Sequence, residues 1–162
     1  MIGVFEWHDH LEFIKFVKSI KKQHSKMATA NILYQGELRT EATHILSGNN
    51  LITDAPPDNN GRGEFFSPTD LVATALGSCM VTIMGIASRA HGFNIDGTSL
   101  IVTKVMSAEP PRRIAEIKVD LTFPENYPEK VKKILEHISK TCPVALSLHP
   151  DLKQTVQLFY PE

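Results

Sequence analysis

The sequence predicts an α+β protein: a mostly antiparallel sheet with one long, buried central helix. Three observations predict it. Alternating, strand-like runs come in hairpin pairs on either side of a central segment, residues 67–91, that is apolar nearly all round. A second stretch of helical period follows at 128–140, and a last alternating run closes the chain at 154–160. Hairpins separated by helices point to the α+β class, and a helix with apolar residues on nearly every side is buried.

Taken in order, residues 1–26 read as an N-terminal amphipathic helical extension. Asp9 and Glu12 form a start signal like a capping box. Phe13, Phe16, Val17 and Ile20 then share a face, with Lys15, Lys18, Lys21 and Lys22 mostly elsewhere. That face needs a partner, either the main domain or a second subunit. The compact domain spans 27–162, with Met27 a natural start. Residues 30–34 and 38–45 are strands joined by Gln35-Gly36-Glu37, a hairpin signal. Leu51-Ile52-Thr53 is a third strand. Residues 54–66, rich in Pro, Asp, Asn and Gly, form a long loop of the kind that often serves as a lid or binding loop.

Ser67-Pro68 opens the central helix: Ser as N-cap, Pro at the first helical position, and Asp70 three residues on. Gly92 stops it. Strands 98–106 and 113–123 follow, divided by Pro110-Pro111. Pro128 starts a helix that aligns Val131, Ile134, Leu135 and Ile138. Cys142-Pro143 starts a short helix ending near His149-Pro150, and a strand from Gln154 to Tyr160 completes the order ββ(β)-α-ββ-αα-β.

The 162 residues fit one domain with a sizeable core. A formal net charge of -1 gives no broad field for nucleic acid or an anionic membrane. No apolar run reads as long enough to span a bilayer. Glu6, Asp9 and Glu12 interrupt what would be a secretory signal. Two cysteines are too few for a disulfide scaffold, so the expected compartment is a reducing cytoplasm.

Those two cysteines carry the chemistry. Cys79 lies some three turns into the central helix, in Ala75-Leu76-Gly77-Ser78-Cys79-Met80. Cys142 is the N-cap of the short helix. The free N–H groups and dipole there favour a thiolate, predicting a thiol that ionises below its usual value of about 8.5. Cys79 is too far from its helix start for that help. A thiolate at Cys79 needs another positive group, and Arg39 on the second strand and Arg62 in the long loop are the candidates. Gly77 and Ser78 are small enough to admit another helix, with the Cys142 helix as the natural visitor. His8-x-His10 lacks the acids or thiols of a zinc site. No phosphate-binding glycine loop and no G-x-S-x-G elbow occurs.

The segment S-P-T-D-L…A-L-G-S-C-M, followed after two strands and a helix by T-C-P-V-A-L, resembles the OsmC/Ohr family over about residues 28–162. The S-P-x-(D/E) form with C-x-V-A-L resembles its less characterised YhfA-like branch. The resemblance implies an intertwined homodimer and a cysteine-based peroxidase that reduces organic hydroperoxides in oxidative or osmotic stress defence. It matches Cys79 to the peroxidatic cysteine, Cys142 to the resolving one and Arg39 to the thiolate-stabilising arginine. It implies a dithiol reductant, lipoyl groups in some members, and no metal or organic cofactor. Peroxidase members carry Glu ten positions before the cysteine; here that residue is Thr69, and the acid, Asp70, comes one later. Nine helical residues turn a side chain about 180°, so Asp70 faces away from Cys79 and serves the helix start. Glu64 is the other possible acidic partner.

Two further readings compete. A non-enzymatic dimer binding a small apolar or electrophilic ligand would suit the missing glutamate and the apolar helix beside a long loop. Two buried, inert cysteines are the bland alternative, because free Cys is often simply a small core residue.

Overall fold

The computed structural model describes residues 28–162; the expected N-terminal helix and the His8-x-His10 pair lie outside the described residues. The chain divides into two compact units, one up to Phe65 and the other Phe66–Glu162.

The described residues of the first unit form a three-stranded antiparallel sheet in the order β1 (Ala30–Gly36), β2 (Arg39–His44), β3 (Asn50–Asp54). Glu37 and Leu38 turn the β1–β2 hairpin with φ of 50° and 60°, the sign that matches the twist of the strands it joins. Leu38 holds this costly conformation with two backbone contacts. Its N–H donates to the Tyr34 hydroxyl at 3.3 Å, and its carbonyl accepts from Ala55 N–H at 3.1 Å. The third strand runs one residue further at each end than the expected 51–53, which puts Asp54 directly opposite Arg39.

The long loop is internally bonded. A 3₁₀ turn at Pro57–Asn59 is followed by donation from Gly61 N–H to Pro56 O at 3.1 Å and from Gly63 N–H to Ala55 O at 3.2 Å. Only glycine fits at 61, where a Cβ would stand 1.7 Å from the Ala55 carbonyl oxygen.

The second unit holds α1 (Pro68–His91), β4 (Ser99–Met106), β5 (Ile114–Thr122), α2 (Glu129–Thr141), α3 (Pro143–Ser147) and β6 (Lys153–Phe159). Its sheet has the order β4-β5-β6, with β4 antiparallel and β6 parallel to β5. The strands are mostly antiparallel, as expected, but they form two sheets. The one parallel pairing follows from the α2–α3 crossover that separates β5 from β6.

The inward face of this sheet reads Leu100, Val102, Lys104 on β4 and Leu121, Val119, Ile117 opposite them on β5. On it sits one stripe of α1: Ala73, Leu76, Gly77, Met80, Met84 and Ser88, all buried. Leu135 and Ile138 of α2, with Cys142, join the same core. Burial of each such Leu, Ile or Met side chain stabilises by about 1.5–3 kcal/mol.

Four sequence expectations change here. First, α1 is buried along one stripe rather than on most sides, and the opposite stripe leaves Val72 at 38% and Ile86 at 59% exposure. Second, Gly77 admits the sheet rather than α3, since a Cβ there would meet Val102 Cγ2 at 2.9 Å. Third, α1 is by length and composition apolar enough to cross a membrane. Thr, Ser and Gly interrupt its sequence, so it does not read as one apolar run, and here it packs on a sheet. Fourth, the short helix stops at Ser147, before His149.

The ends of α1 follow the expected chemistry. Ser67 Oγ accepts from Asp70 N–H at 3.1 Å, and Asp70 Oδ2 accepts from Ser67 N–H at 2.8 Å, a reciprocal cap. At the other end Gly92, with φ 72°, donates to Ser88 O at 2.9 Å.

Candidate functional site

Two constellations hold the residues singled out by sequence. In the second unit, α1 carries Cys79 on the border between its buried and exposed stripes, and the thiol is partly exposed. Cys142 caps α3 and is fully buried in the core. Both thiols are free, and Cys79 is near enough to Cys142 to raise its thiol. Each therefore has a different task available to it: Cys79 can meet a small molecule from solvent, while Cys142 is closed to solvent.

The expected ionisation of Cys142 is corrected by this burial. Desolvation pushes its thiol up, and the adjacent Cys79 pushes it further. The contact from Ala145 N–H to Sγ, 3.4 Å, opposes the rise without overcoming it. The helix start is present, but a helix of five residues adds little dipole, and the loss of water dominates.

Asp70 serves the cap of α1, as its angular position predicted. Its Oδ1 also pairs with Lys104 Nζ at 2.7 Å. The same ammonium donates to Thr69 Oγ1 at 2.8 Å and Ser67 Oγ at 3.3 Å. Burial opposes ionisation of Asp70, but the bonds from Lys104 and Ser67 outweigh it and hold the carboxyl below its usual range.

In the first unit, Arg39 opens β2 and pairs with Asp54 at two points, Nε to Oδ1 at 2.7 Å and Nη2 to Oδ2 at 2.8 Å. Its Nη2 also donates to Glu64 Oε2 at 2.5 Å. Phe65 lies 4.8 Å from the guanidinium carbon by its ring centroid, a cation–π contact. The hydrogen bond from Arg39 holds Asp54 below the usual carboxylate range, and the charge of Arg62 adds to the effect. Of the two candidate arginines, Arg39 is therefore the one embedded in a bonded network, and Glu64 is a partner of that network.

Sequence reasoning missed Asp54, Phe65 and Lys104. Continuing the β2–β3 register by one residue would have paired Asp54 with Arg39. The signal for Lys104 was a charge in phase with Leu100 and Val102 on an inward face, where a charge must find a partner. Among the described residues, no group of three or more His, Cys, Asp or Glu could hold a metal ion.

A family model described as OsmC-like protein matches residues 61–157. A crystal structure from Psychrobacter arcticus 273-4, provisionally named an osmotic stress induced and detoxification response protein, is 52% identical. It covers 82% of this chain and 96% of its own, with a TM-score of 0.79. An OsmC-like protein of Mycoplasma pneumoniae is 20% identical, covering 82% of this chain and 96% of its own at a TM-score of 0.68. An organic hydroperoxide resistance protein OsmC of Legionella pneumophila is 12% identical, covering 82% and 98% at a TM-score of 0.66. The last two establish likeness of fold. No protein of curated function matches the chain.

Proposed function

The chain belongs to the OsmC-like protein family, and we propose that it works there as a cysteine-dependent reductase of organic hydroperoxides in stress defence. One observation carries the reading: a partly exposed Cys79 on the central helix with a free, buried Cys142 as its neighbour.

In this reading the Cys79 thiolate attacks the outer oxygen of the hydroperoxide. The O–O bond breaks, the alcohol leaves with a proton, and Cys79 becomes a sulfenic acid. The Cys142 sulfur then attacks Cys79 sulfur, an S–S bond forms, and water leaves. A dithiol, of which a lipoyl group is one example, returns both cysteines to thiols by exchange. Arg39 is the residue the family resemblance assigns to the thiolate. A second copy of the chain is the proposed partner, and the apolar exposure of β1 supports it: Ile32 is 71%, Leu33 65% and Tyr34 61% exposed. The proposed setting is the cytoplasm.

The test is steady-state reduction of cumene hydroperoxide with dihydrolipoamide as electron donor. Cys79→Ser should abolish turnover; turnover at the original rate in that variant would overturn the reading.

One observation favours a second reading, a dimer that binds a small apolar or electrophilic ligand without turning it over. Thr69 stands where peroxidase members carry glutamate, and Lys104 is bonded to it. In that case no hydroperoxide would be consumed, and a bound ligand would protect Cys79 from alkylation.

A further inference from the structure

We propose that Asp54 is the fixed positioning residue of Arg39 and that Glu64 is a displaceable carboxylate on the same guanidinium, so that the two acids act on the arginine in opposite ways. The proposal rests on the reading that Arg39 serves the Cys79 thiolate, and it adds to that reading the groups that aim and restrain the arginine.

The two acids differ in every physical respect that matters. Asp54 lies on a strand, opposite Arg39 in the β2–β3 register. It takes two parallel bonds, from Nε and from Nη2. Its Oδ2 also accepts the Glu64 backbone N–H at 3.1 Å, and its side chain is 1% exposed. A two-point carboxylate fixes the plane of a guanidinium as well as its place. Glu64 reaches the same guanidinium at one nitrogen only, from a loop, with a side chain 56% exposed. An exposed one-point pair is weak and screened by salt.

Charge balance gives the acids their opposite signs of effect. Asp54 alone neutralises Arg39. Glu64 brings a second negative charge to the same guanidinium and occupies Nη2, with Arg62 the other positive charge felt by Asp54, while Nη1 has no hydrogen-bond partner among the described residues. A thiolate that approaches this guanidinium meets repulsion from Glu64. Exchange of the Glu64 carboxylate for the thiolate keeps the charge constant and leaves the Asp54 bonds in place. Loss of Asp54, in contrast, frees the guanidinium to rotate and removes its aim.

The experiment measures alkylation of Cys79 by iodoacetamide in the full chain at pH 7, with the adduct located by mass spectrometry. Wild type is compared with R39M, D54N, D54E and E64Q, and ¹⁵N spectra report hydrogen exchange at the Arg39 Nε–H. R39M and D54N should both slow alkylation by about tenfold, one unit on the pH axis. D54N should also speed Nε–H exchange, and D54E should restore part of both. E64Q should raise alkylation by about threefold, half a unit on that axis, with the Nε–H still protected. Slow alkylation in R39M with wild-type alkylation in D54N overturns the proposal, and so does slowing by E64Q. Wild-type alkylation in R39M instead removes the assignment of Arg39 to the thiolate, and the Nε–H exchange then decides the roles of Asp54 and Glu64 by itself.

Discussion

Lys104 Nζ lies 2.7 Å from Asp70 Oδ1, and the same ammonium bonds the Thr69 hydroxyl. One inward-pointing cation on β4 therefore ties down the first turn of the central helix. Its cross-strand neighbour Ile117 is buried and apolar, so Asp70 and the two hydroxyls supply the polar contacts that offset its desolvation.

Acid should weaken this tie. The Asp70 carboxyl in the folded chain titrates below its usual value. Its contribution is thus fully present above about pH 4 and is lost as pH falls through the lower, folded value. Asp70→Asn should flatten the fall in stability between pH 5 and pH 3, measured by urea unfolding. At pH 7 the loss should be about 1 kcal/mol, the usual worth of a helix cap, with little added by an ion pair that water screens.

Two helical glycines should respond with opposite signs to alanine. At Gly77 a Cβ would stand 2.9 Å from Val102 Cγ2. Val has one stiff torsion and little room to move, so overpacking of about 1–3 kcal/mol outweighs the gain in helix propensity. At Gly85 the nearest atom is Ile95 Cδ1 at 4.0 Å, so alanine should stabilise by up to about 1 kcal/mol. Thermal melts of the two variants check the pair.

Tyr160→Phe should leave stability unchanged or raise it by up to about 1 kcal/mol. The Tyr160 hydroxyl is buried without a hydrogen-bond partner among the described residues. Burial pushes its ionisation up to about 12. The ring itself stacks on Phe123 at 5.0 Å between centroids, a contact that Phe preserves. A loss of more than 1 kcal/mol would show that the hydroxyl has a partner.

Alkali should act through Cys142. Its thiol is raised by burial, so its contribution to stability is fully present below the unfolded value, about 8.5. That contribution is lost as pH rises through the higher, folded value. Unfolding midpoints in urea should fall from about pH 8.5 upward. Below that range a native chain should take alkylating agent at Cys79 alone, with Cys142 labelled only after unfolding.

How much of this was legible in the sequence depends on the range of the interaction. The start and stop of α1 were legible because Ser67, Asp70 and Gly92 act on backbone groups within four residues of themselves. The strands were legible from alternation, with ends shifted by a residue or so. That small shift hid the Arg39–Asp54 pair, since Asp54 was left in the loop. The division into two sheets was not legible, because alternation shows that a strand exists without naming its neighbour. The ionisation of Cys142 was misjudged for a related reason: a helix start is a local signal, whereas the burial that overrides it is assembled from elements distant in sequence.

The most direct measurement adds one equivalent of cumene hydroperoxide to the reduced chain, then counts free thiols and reads the intact mass. The account predicts that Cys79 and Cys142 are lost together and that the mass falls by two hydrogens. Cys142→Ser should instead hold a sulfenic acid at Cys79 that dimedone traps, and Cys79→Ser should keep its remaining thiol. Two thiols surviving in the wild type, or a Cys79→Ser variant that consumes the peroxide as fast, would contradict it.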